Sequence, residues 1–205
     1  MWIQTTCNLE FQMNDSTPLI LMLRPRSGIQ QWVAQEAYTM SPSVTVEEYT
    51  DIFGNLCQRL VAPAGAFSIH TSATVLTADA VDEAPGAFFV EVQNLPDMVL
   101  LYLLPSRYCE SDRFGNLARE IVDGVQFGYD QVHRISEWVR SSIRYSPGSS
   151  AFPLSAAEVS AQQEGVCRDL AHLGIALCRS ISIPARLVVG FLHGLEPMDL
   201  HAWFE

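Results

Sequence analysis

The sequence has few charged residues, and basic residues are the minority among them. Charged residues make up 17% of the 205-residue chain. The chain has 12 lysines and arginines and 23 aspartates and glutamates, which gives a formal net charge of −11. Nucleic acids and anionic membrane surfaces attract basic proteins, so this balance argues against both as partners. Apolar residues make up 48%, which is typical of a globular chain with a buried core in one or two domains.

Long apolar segments are also missing, and the first residues do not show the pattern of a signal peptide. The apolar stretch 18–23 is too short to span a bilayer. Residues 1–26 lack the basic start, apolar core and small-residue cleavage site of a signal peptide. We therefore predict a protein of the cytoplasm.

Cysteine is present in an odd number and without a C-x-x-C pair. The five cysteines are Cys7, Cys57, Cys109, Cys167 and Cys178. This count argues against a disulfide framework and against a structural zinc site. Histidines and acidic residues do not fall at ligand spacing, so we predict no metal and no cofactor.

The first half of the chain shows the pattern of an all-β domain. Short alternating or β-branched runs are separated by turns rich in Gly, Pro, Asn and Asp, which is typical of a sandwich or barrel. We predict a sandwich-like β domain over residues 1–106, with strands at 3–11, 19–24, 31–40, 44–49, 56–61, 67–76, 88–92 and 99–103.

The pattern changes from β to α after residue 106. Helices are predicted after Ser111 or Asp112, from about Asp130 with apolar residues on one face, and after Ser155, whose hydroxyl would cap the helix with Glu158 in the reciprocal position. An exposed loop is predicted over residues 144–150.

A cysteine opens the next predicted helix. Cys167 precedes an apolar set spaced for a packed helix, and the positive end of the helix dipole with its free N–H groups favours a thiolate there. Arg168 adds a positive charge, and Asp169 could cap the helix. Taken alone, the stretch fits a buried, inert cysteine slightly better, since most intracellular cysteines are of that kind.

Two downstream segments favour a reactive Cys167 over an inert one. Residues 183–191, Ile-Pro-Ala-Arg-Leu-Val-Val-Gly-Phe, predict a buried strand, and residues 199–205, Asp-Leu-His-Ala-Trp-Phe-Glu, predict a second one. With Gly-Val-Cys-Arg-Asp-Leu-Ala-His at 165–172, the segments resemble the transglutaminase-like superfamily, in particular the bacterial transglutaminase-like putative cysteine proteases. The resemblance is detailed over roughly the last hundred residues and looser before them.

The resemblance implies a fold and a pair of catalytic residues. It implies an α+β protein in which a papain- or transglutaminase-like core, helices on an antiparallel sheet at residues 107–205, follows the β domain. Cys167 would be the nucleophile and His201 the base of a Cys-His-Asp triad. The family's aspartate lies on a further strand and has no counterpart before Glu205, so we expect a truncated chain that is weakly active or inactive.

Other residues near the site have a structural and a functional interpretation. His172 is expected to pack or to support the site, and His193 to be exposed or to line the cleft. Cys178 is expected to be inert core. Tyr145 and Trp203 could wall a substrate groove or simply pack.

The predicted reaction is acyl transfer through a thioester on an amide or peptide carbonyl of a peptide or protein substrate. The sequence leaves hydrolysis and transamidation both open, as well as the oligomeric state. The alternative is a non-catalytic peptide- or protein-binding module on the same fold.

Overall fold

Residues 1–82 form an all-β unit in which side chains alternate between the inside and the outside of two sheets. The computed structural model describes residues 1–196 and 198–205, and residues 1–82 form the first of two compact units. Both sheets are antiparallel and three-stranded, in the orders β1-β6-β3 and β2-β5-β4. The strands are β1 (Trp2–Met13), β2 (Thr17–Leu21), β3 (Gln31–Ser41), β4 (Val46–Thr50), β5 (Leu56–Ala62) and β6 (Gly65–Thr77). The first six predicted strands are confirmed.

One apolar cluster lies between these two sheets. Leu60 and Ala62 of β5 and Phe67 and Ile69 of β6 are its buried centre, and β1 to β4 all contribute partly buried side chains. Strand β6 buries every second residue, as the period of two requires. The two sheets therefore share a single core.

The two strands predicted after residue 82 are wrong. Residues 88–92 contain only an isolated bridge at Phe88, and residues 99–103 are helical. The structure has α1 (Asp97–Leu100) flanked by 3-10 turns at 92–94 and 101–103. Short apolar runs cannot be assigned by periodicity, and Asp97 in the first turn favours a helix start. The two units meet between residues 82 and 83, so the predicted boundary after residue 106 lies within the second unit.

The second unit, residues 83–205, packs helices with two small sheets. Strands β7 and β8 pair in parallel, and β9 and β10 pair antiparallel. The predicted α+β class is thus confirmed. Three bounds differ from prediction: the helix expected after Ser111 or Asp112 begins at Gly115, Arg144 and Tyr145 form β7 rather than loop, and the strand expected from residue 183 begins at Leu187. The elements are a 3-10 turn (Ser111–Arg113), α2 (Gly115–Ile121), α3 (Tyr129–Ser142), β7 (Arg144–Tyr145), α4 (Ala156–Gln162), β8 (Glu164–Gly165), α5 (Cys167–Ser180), β9 (Leu187–Phe191) and β10 (Leu200–Phe204).

Helix α4 begins as its sequence predicts. The Ser155 hydroxyl accepts the backbone N–H of Glu158, and the Glu158 carboxylate accepts the backbone N–H of Ser155 at 2.7 Å. This capping box satisfies two backbone donors that a helix start leaves free. None of the helices in the described part of the chain is long and apolar enough to cross a membrane.

Helix α5 is the centre of the second unit. Every residue from Ala171 to Cys178 is buried, and α5 packs against α2, α3, α4 and β10. A helix that is buried all round must be apolar all round, as this one is from Leu173 to Cys178. Gly174 lets β10 approach closely, since a Cβ there would lie 2.4 Å from Cε1 of the Phe204 ring.

The close approach at Gly174 is testable. We expect Gly174→Ala to destabilise the protein by about 1–3 kcal/mol, because the added methyl overpacks the Phe204 ring. Helix propensity alone would stabilise by about 1 kcal/mol, so the two effects have opposite signs. Urea unfolding measures the change. Gly28→Ala, at a site with no atom within 4 Å, is the control, and a stabilised Gly174→Ala variant would contradict the packing argument.

Candidate active site

Cys167 is the first residue of α5 and is partly exposed. The residue before it, Val166, is extended, with φ −94° and ψ 176°, and its carbonyl accepts the N–H groups of Asp169 at 3.0 Å and Leu170 at 3.1 Å. Within the described residues, the N–H groups of Cys167 and Arg168 have no such acceptor. The first turn therefore presents free donors and the positive end of the helix dipole at the sulfur.

Asp169 holds this turn in place from inside. Its side chain is fully buried, and it accepts the backbone N–H of Val166 at 3.1 Å, the backbone N–H of Leu154 at 3.1 Å and the hydroxyl of Ser150. Gly165 makes room for it, since a Cβ there would lie 2.9 Å from Cβ of Asp169. The expected cap is confirmed, and it also ties the loop before α4 to α5.

Burial alone would raise the pKa of the Asp169 carboxyl. The hydrogen bonds from Ser150, Leu154 and Val166 and the charge of Arg168 outweigh burial and hold that pKa below its ordinary value. Asp169 is therefore a stably ionised carboxylate in the interior.

The Arg168 guanidinium turns toward the same loop rather than toward the sulfur. Its Nη2 donates to the carbonyl of Ser150 at 3.0 Å and to the hydroxyl at 3.3 Å, while Nε lies 3.3 Å from Oδ1 of Asp169. The positive charge expected beside Cys167 is thus paired with the buried carboxylate.

His172 supports the structure of the site. It is buried, its Nδ1 lies 2.7 Å from the carbonyl of Leu154, and its ring stacks on Tyr108 with centroids 5.2 Å apart. Burial lowers its pKa, so the ring is neutral at pH 7 and Nδ1 carries the proton that it donates. It lies about one turn after Cys167 along α5 and does not line the pocket described next.

His201 comes from β10, opposite Gly190 of β9. The Trp203 ring lies on the same strand face, with its centroid 6.5 Å from that of His201 and the planes 24° apart. A Cβ at Gly190 would lie 3.2 Å from Cη2 of Trp203. The absence of a side chain at Gly190 therefore gives the indole room over the strand.

Cys167 and His201 line one pocket of about 280 Å³. Tyr145 and Trp203 line it too, and both are substantially exposed, at 52% and 38%. The rest of the wall comes from α3 and the residue after it, from α5 and from β10: Ser136, Val139, Arg140, Ile143, Leu170, Ala171, Ala202 and Phe204. The structure thus brings together the predicted nucleophile, the predicted base and both predicted wall residues.

Other predicted candidates lie elsewhere. His193 is exposed and does not line the pocket. Cys178 is fully buried, and burial raises its pKa to about 12, which makes it unreactive. Asp199, an aspartate two residues before His201, accepts the backbone N–H of Leu200 at 2.7 Å. In the described part of the chain, no three His, Cys, Asp or Glu side chains gather as metal ligands would.

Sequence reasoning missed two contributors to the site. Ser150 lies in a stretch that composition marks only as loop, and its bonds to Arg168 and Asp169 depend on tertiary structure. Arg140 lies at the edge of the apolar face of α3, and the sequence could not show which edge borders Cys167. The amphipathic pattern of α3 was the one sequence feature that could have drawn attention to Arg140.

Comparisons with known proteins place the chain among related sequences and structures. Residues 115–205 match the family model described as transglutaminase-like superfamily. A crystal structure of a putative cysteine protease from Cytophaga hutchinsonii aligns with a TM-score of 0.86 and 31% identity, covering 100% of this chain and 74% of that one. An uncharacterized protein of Mycobacterium leprae (strain TN) is 28% identical over 196 residues, or 89% of this chain and 70% of that protein.

The chain belongs to the transglutaminase-like superfamily. The matched region contains Cys167, His201 and all the elements that line the pocket. The solved relative also extends over both units of this chain.

The buried carboxylate predicts a pH-dependent stability. Because the folded-state pKa of Asp169 is depressed, its contribution is present above the ordinary value of 3.8 and is lost as the pH falls through the folded value. We expect Asp169→Asn to cost about 2–4 kcal/mol at pH 7, and the difference from wild type to shrink below pH 4. Urea unfolding across this range measures it.

Asp112→Asn, at an exposed aspartate of the same unit, is the matched control. A difference between wild type and Asp169→Asn that stays constant from pH 7 to about pH 3 would show that the charge of the carboxylate is not what holds the turn.

Proposed function

We propose that this protein is a cysteine-dependent acyl transferase of the cysteine-protease type, with Cys167 as nucleophile and His201 as general base. The observation that carries the proposal is the shared pocket, to which a helix start contributes the thiol and a separate strand contributes the imidazole. This is the arrangement that thiol nucleophiles with a histidine base require. Family membership and the solved relative named as a putative cysteine protease support a cysteine-protease-like activity.

In the first half-reaction Cys167 attacks the carbonyl carbon of an amide. The thiol proton passes to His201, the new C–S bond forms, and the carbonyl oxygen becomes an oxyanion. The free N–H of Cys167 donates to this oxyanion, because the N–H groups of Asp169 and Leu170 are already bonded to Val166. His201 then protonates the amine, the C–N bond breaks, and a thioester remains.

In the second half-reaction an acceptor takes the acyl group. Water, deprotonated by His201, attacks the thioester, and the Cys167 sulfur leaves and recovers its proton, so that the product is a carboxylic acid. An amine in place of water gives transamidation. We favour hydrolysis, because the pocket is open to solvent at Tyr145 and Trp203. The substrate class, a peptide or protein amide, and the cytoplasmic location stay predictions.

Alkylation at pH 6 tests the nucleophile. We expect iodoacetamide to label Cys167 at least about tenfold faster than Cys7, because Cys167 lies at a helix start with free N–H groups and shares its pocket with His201. Cys7 is the matched control: it is also partly exposed, but burial raises its pKa. Peptide mapping by mass spectrometry reads both rates in one sample.

The same experiment distinguishes the enzyme hypothesis from the alternative of a non-catalytic binding module. Comparable labelling of Cys167 and Cys7 would contradict an activated nucleophile and would support a cleft that only binds. The three remaining thiols, Cys57, Cys109 and Cys178, are buried and should stay unlabelled while the protein is folded.

Acylation tests the base. An activated ester such as p-nitrophenyl acetate should transfer one acetyl group to Cys167, and His201→Ala should slow this transfer by about 10²- to 10⁴-fold. Intact-mass spectrometry and p-nitrophenol release follow the reaction. Cys167→Ser should abolish the adduct at this position, and His193→Ala, at an exposed histidine outside the pocket, should leave the rate unchanged. An undiminished rate in His201→Ala would rule out His201 as base.

A further inference from the structure

The pocket contains one permanently charged side chain, that of Arg140. We infer that the substrates of this site carry a carboxylate next to the reacting amide, and that Arg140 binds this carboxylate. The inference rests on the proposed function in assigning a substrate, but the position and charge of Arg140 do not depend on it.

The spacing of α3 places Arg140 at the pocket. Ser136, Val139 and Arg140 line it, at positions i, i+3 and i+4 of one helix face, and Ile143, the residue after the helix, joins them. Arg134 lies on the same helix and is also exposed, but it does not line the pocket. Helix geometry thus separates two otherwise similar arginines.

The charge of Arg140 is not neutralised within the protein. Among residues 1–196 and 198–205 it has no hydrogen bond, ion pair or ring contact. The nearby carboxylates have other partners: Glu137 lies 3.5 Å from His133, and Glu164 pairs with Arg144. No aspartate or glutamate of the described chain lines the pocket, although acidic residues outnumber basic ones almost two to one.

The rest of the pocket wall explains why a carboxylate is the group to expect. Its other side chains are mostly apolar or aromatic, so Arg140 is the one fixed charge that an anionic group entering the pocket would meet. A guanidinium presents a rigid fork of donors that matches a carboxylate in a bidentate way. A peptide could offer such a group as an acidic side chain or as its terminal carboxylate.

Two alkylating reagents that differ by one charge test this without a substrate. Iodoacetate is anionic and iodoacetamide is neutral, and both react with Cys167. We expect Arg140→Ala to slow labelling by iodoacetate about three- to tenfold while the iodoacetamide rate stays within about twofold, and the effect to shrink in 1 M salt. Arg134→Ala is the matched control and should change neither rate.

The outcomes separate this inference from the proposed function. An unchanged ratio of the two rates in Arg140→Ala, or an equal loss in Arg134→Ala, would overturn a local role for Arg140. Slow labelling of Cys167 relative to Cys7 would instead contradict the proposal that Cys167 is the nucleophile. The ratio of the iodoacetate and iodoacetamide rates could still be measured in that case. Arg140→Gln, which keeps much of the side chain, repeats the test should the alanine variant be unstable.

Protection of Cys167 from iodoacetamide identifies the source of the carboxylate. One pair of short peptides differs as Glu against Gln with an amidated end, and a second pair differs as a free against an amidated C-terminus. We expect the acidic member of one pair to protect several-fold better with wild type and no better with Arg140→Ala. Equal protection by all four peptides would overturn the inference.

Discussion

The geometry of the site depends on one buried carboxylate. Asp169 accepts hydrogen bonds from Val166, the residue before Cys167, and from both ends of the stretch Ser150–Leu154, so it joins helix α5 to the loop ahead of α4. An ionised group can remain in the interior only when such donors replace its water. Because Asp169 lies two residues after Cys167, whatever orders the carboxylate also orders the backbone that carries the sulfur. The helix start and Cys167 are therefore one structural unit.

The sequence predicted those parts of the molecule that local patterns determine. The strands of residues 1–77, the capping box at Ser155 and the helix beginning at Cys167 all follow from alternation, capping and apolar spacing. The pairing of Cys167 with His201 in one pocket needed the family resemblance, since the two lie on different elements. The strands predicted within residues 83–104 were wrong, because short apolar runs between prolines fit a helical turn as well as a strand. The hydrogen bonds of Ser150 and the place of Arg140 in the pocket wall depend on the tertiary fold, which no local pattern encodes.

The pocket differs in charge from the chain that contains it. The protein is strongly acidic, yet the surface around Cys167 and His201 is apolar with a single guanidinium. An acidic surface repels anionic molecules in general, and a local cation offsets this at one place. Selectivity of this kind needs no large binding surface, since the repelling charges act on every anion and the attracting one acts only at the cleft.

The buried His172 makes the stability of the second unit sensitive to acid. The ring is neutral and buried against Tyr108, with its depressed pKa caused mainly by burial. In the unfolded chain the imidazole would take up a proton near its ordinary value of 6.5, whereas in the folded protein it does so only at lower pH. Mild acid therefore lowers the free energy of unfolding of the fold that holds this ring. The stability of the unit whose central helix carries Cys167 would thus fall as its surroundings become slightly acidic.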